Sequence, residues 1–577
     1  MNYIKNLENK LTDEQKDVLK HIYEPTVVAT PLSDSRRDVC ILPDGEIRSY
    51  GKLYAESYFL SKQGKVAYLS SKDCGLSWEI NYSNGKMNNC TYIENGDIYL
   101  STCDKYGNYS GYETGLYVYR SKIGPDDTNP EVIKLSDEPY IDTYLPVQSL
   151  FSNRVWFTTQ LNSIPVFFYS DDLGVTWIRR EISMTDSFKT TFPHKGLRWC
   201  VKSGAEPYVV ELSKDTLIMI IRTPLDCFYK SYSYDGGDSW TTPEPTDFYG
   251  TNTTAFMLRL SDGRILNFWN NTKPLSQPNL KNMEEVGERV ANGMGEYGFT
   301  NRDVSHVAIS DDGGKTFKGY RELLLNPIRN NADYRYTGGV KYSADKSVHQ
   351  FQAFELPFNK ILVSVGQNIA SRRLVIFDLD WLYETSRKED FLFGMCNVTT
   401  HTYLKSVPGC HYAEVGNGHC AFNRITSAYP VPDPEGGYSE VIKVSKTENA
   451  DRVSGVSGVA WNFPTSQKGR VTVNIKIEEK QARIILTDRW YNVCDIYAAY
   501  QSPYWFELDK TDTGDGFAKV DIDYDITTRS ATVYINDEFL FDVKMTTECP
   551  VGINYLIMQC ATDGDSKGFY IKSIKKI

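Results

Sequence analysis

The sequence predicts an all-β chain in two parts, an array of small antiparallel sheets followed by a β-sandwich. Three observations predict it. An eight-residue pattern recurs four times before residue 320. Strand–turn–strand units recur between its copies. Near residue 385 the texture changes to longer alternating strands with few helix signals. Length and composition agree: 577 residues exceed one ordinary core, and 41% hydrophobic with 24% charged residues is a globular balance.

The first 24 residues form the one helical segment expected. Leu7, Leu11, Val18 and Leu19, with Thr12 ahead of Glu14 and Asp17, read as a short amphipathic helix. The segment has no apolar h-region, so it is not a secretory signal, and a cytoplasmic chain is expected. The 12 cysteines contain no C-x-x-C pair. Reduced thiols are therefore expected, and a zinc ribbon is unsupported. No run of 18 apolar residues suggests a membrane span. The net charge of -11 argues against a nucleic-acid partner, although it leaves room for a local basic pocket.

The repeated octet is S-x-D-x-G-x-[T/S]-[W/F]. Its copies begin at Ser71, Ser170, Ser233 and Ser310. Each follows a strand-like run such as VAYLS, VFFYS or HVAIS. Ser and Asp side chains bond to nearby backbone in a turn, Gly supplies a conformation that a Cβ would penalise, and the final aromatic packs beneath. Between the copies lie CILPDGEIRSY, CTYIENGDIYLST, YVVELSKDTLIMIIR, FMLRLSDGRILNFWN and FELPFNKILVSVG, each a strand, a short turn and a strand.

These octets are Asp boxes, and residues 25–385 resemble the sialidase-like β-propeller superfamily. The resemblance implies a six-bladed β-propeller with about 60 residues per blade. The boxes fix blade turns and are not themselves catalytic. Residues 386–400 read as a charged connector. In 401–577 the alternation of VTVNIKI and ATVYIND marks half-buried antiparallel strands. That region is similar to the concanavalin-like jelly rolls appended to many glycosidases.

The resemblance also implies a site. Its relatives hold an anionic sugar with three arginines and use a Tyr–Glu pair with an Asp acid/base. In GAEPYVVELSKDTLIMIIRT, Glu206 falls at the activating carboxylate and Arg222 at a triad arginine. The plainer reading is a surface glutamate and a strand-end arginine in a salt bridge. Arg302, eight residues ahead of Ser310, falls at another triad position. Arg36 and Arg37, in SRRDVCILPDGEI, are the choices for the remaining one; strand alternation lets only one point inward. Asp38 is a further carboxylate beside them.

Two positions depart from the family pattern. The loop expected to carry the acid/base Asp has none, and Glu56 is the carboxylate at its middle. Counting back from Leu356-Pro357, the register of the family tyrosine holds Gln350, beside His349. Tyr334 and Tyr336 lie earlier and are the phenols available from another strand. His349 is a candidate general base or acid, because imidazole titrates near neutrality. Arg372 and Arg373 are further candidates to hold an acidic substrate. His401, His411 and His419, among Cys410 and Cys420, fit no standard metal spacing; no metal or cofactor is expected.

Three functions follow as expectations. The first is an exo-acting glycoside hydrolase that removes a terminal acidic sugar, sialic acid or a related ulosonic or uronic acid, from oligosaccharides. The second is a lyase acting on uronates with a His/Tyr base. The third is a non-catalytic carbohydrate-binding propeller.

Overall fold

The computed structural model describes residues 2–32, 37–51, 61–62, 65–104, 114–141, 143–162, 164–184, 205–223, 227–250, 253–273, 301–327, 347–367, 369–403, 424–446, 456–478, 481–560 and 567–577. The helical segment is two helices rather than one, Asn2–Lys10 and Asp13–His21. Thr12 breaks it: its Oγ1 accepts from Gln15 N (3.2 Å), and Gln15 Oε1 accepts from Thr12 N (2.9 Å). This capping box starts the second helix. Leu7, Leu11 and Leu19 are buried, while Val18 is exposed. Leu7 packs on Gly45, where φ is +88° and an added Cβ would sit 3.2 Å from the leucine side chain.

The array is all-β. Its first sheet joins Val39–Ile41, Ile47–Tyr50, Ser61–Lys62, Lys65–Ser71 and Glu79–Ser83. The second is an eight-stranded sheet running from Thr91–Ile93 to Ile178–Glu181. It is continuous because the long strand Glu131–Ile141 pairs with Thr114–Ser121 and, by its last two residues, with Val155–Leu161. Two four-stranded sheets follow. Ala205–Ser213, Thr216–Arg222, Cys227–Ser233 and Glu244–Tyr249 form one. Phe256–Arg259, Ile265–Trp269, Val304–Ser310 and Lys318–Leu325 form the other. The last sheet combines Gln352–Leu356, Lys360–Val365 and Arg373–Asp378 with the early strand Thr26–Ala29. Central strands such as Val304–Ser310 and Lys360–Val365 are buried along their whole length. They therefore lack a clean polar–apolar alternation.

The four octets adopt one turn. In the last, Asp312 Oδ1 accepts from Thr316 N (2.9 Å), Asp312 Oδ2 accepts from Thr316 Oγ1 (2.6 Å), and Ser310 Oγ accepts from Gly314 N (2.8 Å). Trp78, Trp177 and Trp240 add an indole N–H bond to the glycine carbonyl of their own octet. The glycines sit at φ between +83° and +102°. Only this residue type takes that conformation without strain.

The C-terminal region is a β-sandwich. In Lys468–Ile477, Val471, Val473, Ile475 and Ile477 point inward and alternate with half-buried neighbours. They share one core with Ile484, Leu486, Leu556 and Met558 of the facing sheet. Residues 386–400 contribute to both layers. Arg387–Glu389 pairs with Phe569–Lys576, and Val398–Thr399 pairs with Ser457–Ser466.

Buried polar contacts join the sandwich to the array. Asn271 N donates to His306 Nδ1 (3.0 Å), so the imidazole proton sits on Nε2 and points at Tyr555 Oη (2.6 Å). Tyr555 in turn donates to Glu322 Oε1 (2.7 Å). Burial holds the His306 imidazole down at about 3, so it is neutral. Arg489 caps the Tyr249 ring, 3.1 Å from its centroid. Val304 packs with Trp490 and Ile557.

Candidate functional site

Most of the nominated residues lie at strand ends. Arg37 and Asp38 immediately precede Val39–Ile41. Glu206 is the second residue of Ala205–Ser213, and Arg222 ends the strand paired with it. His349 and Gln350 precede Gln352–Leu356, and Arg372 precedes Arg373–Asp378. With Arg302, all eight side chains are at most 3% exposed. Burying this many charges is costly unless they are paired or await a counterion.

Bonds on the backbone and side chains connect them. Arg37 Nη1 donates to Thr143 O (2.7 Å) and Nη2 to Gln350 Oε1 (3.2 Å). Its guanidinium carbon is 3.6 Å from the centroid of the Tyr144 ring. Asp38 pairs with Arg372 (2.5 Å) and accepts from Ser49 Oγ (2.9 Å). Gln352 grips the backbone of Val39 from both sides, accepting from its N (3.0 Å) and donating to its O (2.6 Å). The first and last sheets are thereby locked together at Arg37.

On the other side, Tyr144 stacks edge-on against Tyr208 (4.7 Å), two residues from Glu206. Tyr144 N donates to Thr158 O (2.9 Å), and Thr158 Oγ1 donates to Pro207 O. Burial, with the neighbouring Tyr144, raises the Tyr208 phenol far above its ordinary value and keeps it neutral, against a small opposing pull from Arg37. Glu206 and Arg222 form an ion pair. Glu206 is therefore not a surface residue, although the strand-end salt bridge is real.

Arg302 joins through Val348, whose N donates to Arg302 O (2.9 Å). Asn270 Nδ2 bridges the same two segments, donating to Val304 O (2.6 Å) and Val348 O (3.0 Å). His349 Nδ1 lies 2.7 Å from Ser347 Oγ, and its Nε2 lies 3.5 Å from Gln350 Nε2. The proton positions follow. Arg37 can only donate, so Gln350 presents its oxygen there and its NH₂ to His349.

Arg37 (φ +52°), Glu206 (φ +40°), Asn301 (φ +50°) and Gln350 (φ +65°) are all left-handed. None is glycine; Arg37, Glu206 and Gln350 each cost about 1 kcal/mol or more there, and asparagine less. Strain of this kind collects where neighbouring structure holds a residue for function.

Arg36, Glu56, Tyr334, Tyr336, His411, His419, Cys410 and Cys420 lie outside the described residues. Arg373 is half-buried, and its Nη1 donates to Arg372 O (2.6 Å). His401 Nε2 lies 3.3 Å from Asp303 Oδ2. Among the described residues, no cluster of His, Cys, Asp and Glu could hold a metal. Thr143, Tyr144, Asn270 and Gln352 escaped sequence reasoning. The signal available was their type: polar or aromatic residues in otherwise apolar strand-end segments.

The model of the BNR repeat-like domain family matches residues 150–347. No curated protein matches the sequence. Among solved structures, the chain is similar to a Trypanosoma rangeli sialidase bound to a difluorinated nononic acid. The identity is 10%, over 94% of this chain and 91% of that one, with a TM-score of 0.33. It is similar to the NanB sialidase of Streptococcus pneumoniae at 13% identity, over 64% and 73%, with a TM-score of 0.34. It is also similar to a Dyadobacter fermentans protein of unknown function at 16% identity, over 62% and 97%, with a TM-score of 0.37.

Proposed function

The chain is a divergent member of the sialidase-like BNR/Asp-box superfamily, and from that premise we propose that it is an exo-acting glycoside hydrolase removing a terminal acidic sugar from oligosaccharides. Membership suggests a carbohydrate-related function. The acidic substrate rests on one observation. Arg37 is a buried cation whose described partners are a carbonyl, an amide and a tyrosine ring. Among the described residues no carboxylate pairs with it, and its Nε has no partner. Arg222 and Arg372 are matched by Glu206 and Asp38. A sugar carboxylate is the counterion that Arg37 lacks, and a planar guanidinium binds a carboxylate through two parallel bonds.

The same reading takes the array as six blades of a closed propeller. Its support is the pairing of Thr26–Ala29 with Arg373–Asp378, which joins the start of the array to its end. The eight-stranded sheet then counts as two blades fused along Tyr140–Ile141.

In this mechanism Arg37 and its neighbours fix the carboxylate, and the paired Glu206 orients Arg222. His349 is the titratable group placed beside Gln350 and Arg37 to take a proton next to the bound acid. That placement favours a second reading, a uronate lyase, in which the arginine neutralises the carboxylate, His349 removes the proton on the adjacent carbon, the C–O bond to the leaving sugar breaks as the C=C bond forms, and the leaving oxygen takes up a proton. A panel of sialosides and uronides with mass detection separates the two. A hydrolase product gains water, whereas a lyase product gains none and absorbs in the near ultraviolet. Failure of every acidic glycoside to bind or react would overturn both.

A further inference from the structure

The sandwich touches the candidate site at one of its arginines. Asp303 follows Arg302 directly and is fully buried. Its Oδ1 accepts from Asn326 Nδ2 (2.9 Å), and its backbone O accepts from Asn326 N (2.7 Å). Its Oδ2 faces His401 Nε2 across the boundary between array and sandwich (3.3 Å). His401 is itself fully buried and stacks on Trp490, whose indole N–H donates to Thr399 Oγ1 (2.8 Å).

A second set of contacts from the sandwich reaches the residue before Arg302. Asn271 Nδ2 donates to Asp488 O (2.9 Å), Trp490 N donates to Asn271 O (2.9 Å), and Lys273 N donates to Trp490 O (2.9 Å). The segment so held then holds Asn301: Thr272 Oγ1 donates to Asn301 O (2.8 Å), and Asn301 Nδ2 donates to Lys273 O (2.5 Å). Asn301 is one of the left-handed residues, a conformation that asparagine tolerates better than most. Arg302 is thus flanked on both sides by residues that the sandwich secures.

We propose that the sandwich is part of the acid-binding site, and that His401 is a positioning residue for Arg302, acting through Asp303. The inference rests on the proposed function and on Arg302 serving in it as an anion-binding group, the place that the family resemblance gives it. It assigns the sandwich a role other than independent sugar capture: it sets where one arginine stands. A buried carboxylate that loses one of its partners shifts or takes up a proton, and its chain neighbour moves with it.

The test uses the full chain with His401→Ala and His401→Gln. The probes are N-acetylneuraminic acid and glucuronic acid, each beside its methyl ester, in titration calorimetry. In His401→Ala the dissociation constant for the acid should rise about tenfold while that for the ester changes less than twofold. His401→Gln, which keeps a polar side chain able to donate to Asp303, should recover most of the loss. Equal weakening of acid and ester, or no weakening, overturns the proposal. Hydrogen exchange on the sugar-free variants gives an independent reading. Protection should fall at 301–306 and 347–350 but not at 205–222; unchanged protection at 301–306 overturns the proposal. If the unaltered chain binds neither acid, the proposed function fails, and the exchange experiment still decides the positioning role.

Discussion

Arg37 and Gln350 meet across the join between the first and last sheets, guanidinium to amide oxygen at 3.2 Å. A carboxylate in place of that amide would neutralise the arginine. The amide instead orients the guanidinium and leaves its charge for a ligand. Arg37→Lys keeps the charge but loses the planar fork, and Arg37→Ala loses both. Binding of an acidic monosaccharide should weaken roughly tenfold in the first and a hundredfold in the second, or about 1.4 and 2.7 kcal/mol. Calorimetry checks this, and equal affinity in all three proteins would remove Arg37 from the site.

Glu206 and Arg222 should behave as a buried pair. Glu206→Gln leaves Arg222 charged and buried, and should destabilise the fold by about 3–5 kcal/mol. Pairing it with Arg222→Met should restore much of that stability in denaturant unfolding. Turnover should remain abolished in both variants. A double variant no more stable than Glu206→Gln would show that the pair does not act as a unit.

His306 makes stability depend on pH. Unfolded, it titrates near 6.5; folded, burial holds it down at about 3. Between those values the unfolded chain binds the extra proton, so stability falls as pH falls through the window. The slope approaches about 1.4 kcal/mol per unit. His306→Gln should flatten the melting-temperature profile between pH 6.5 and 4. A profile as steep as that of the unaltered chain would contradict this.

The octet turns should matter for stability alone. Burial raises the Asp312 carboxyl, but bonds from Thr316, Ser310 and Lys315 outweigh it and bring the group down to about 2. Asp312→Ala removes these bonds and should cost about 1–3 kcal/mol. Its affinity for acidic sugars should be unchanged. Weakened sugar binding at full occupancy of the native state would argue that the turn belongs to the site.

The parts legible in the sequence were those set by neighbours a few residues away. The octets declare their turn because Ser310, Asp312, Gly314 and Thr316 complete it among themselves. Glu206 and Arg222 were legible through the family resemblance of one continuous segment, which folds as one hairpin with Ala205 opposite Arg222. Thr12 signals a helix start in the sequence, but its reciprocal bonds with Gln15 also separate the segment into two helices. Arg36 and Arg37 could not be separated without the backbone at Arg37 turning left-handed. Tyr144 under Arg37, Asn270 across Val304 and Val348, and His401 against Asp303 depend on segments far apart in the chain. No local pattern encodes those meetings.

The strand Thr26–Ala29 lies against Arg373–Asp378, with Thr26 opposite Ile376. This has a consequence for the nascent chain. At ordinary rates of synthesis, about 20–70 s pass between the emergence of one strand and of the other. Until then the strand that joins Thr26–Ala29 to Lys360–Val365 is missing, and so is Arg372, the partner of Asp38. Products truncated before Arg372 therefore hold most of the sheets but not the full set of arginines proposed to bind the acid, and a chaperone would meet unpaired edges at Thr26–Ala29 and Lys360–Val365.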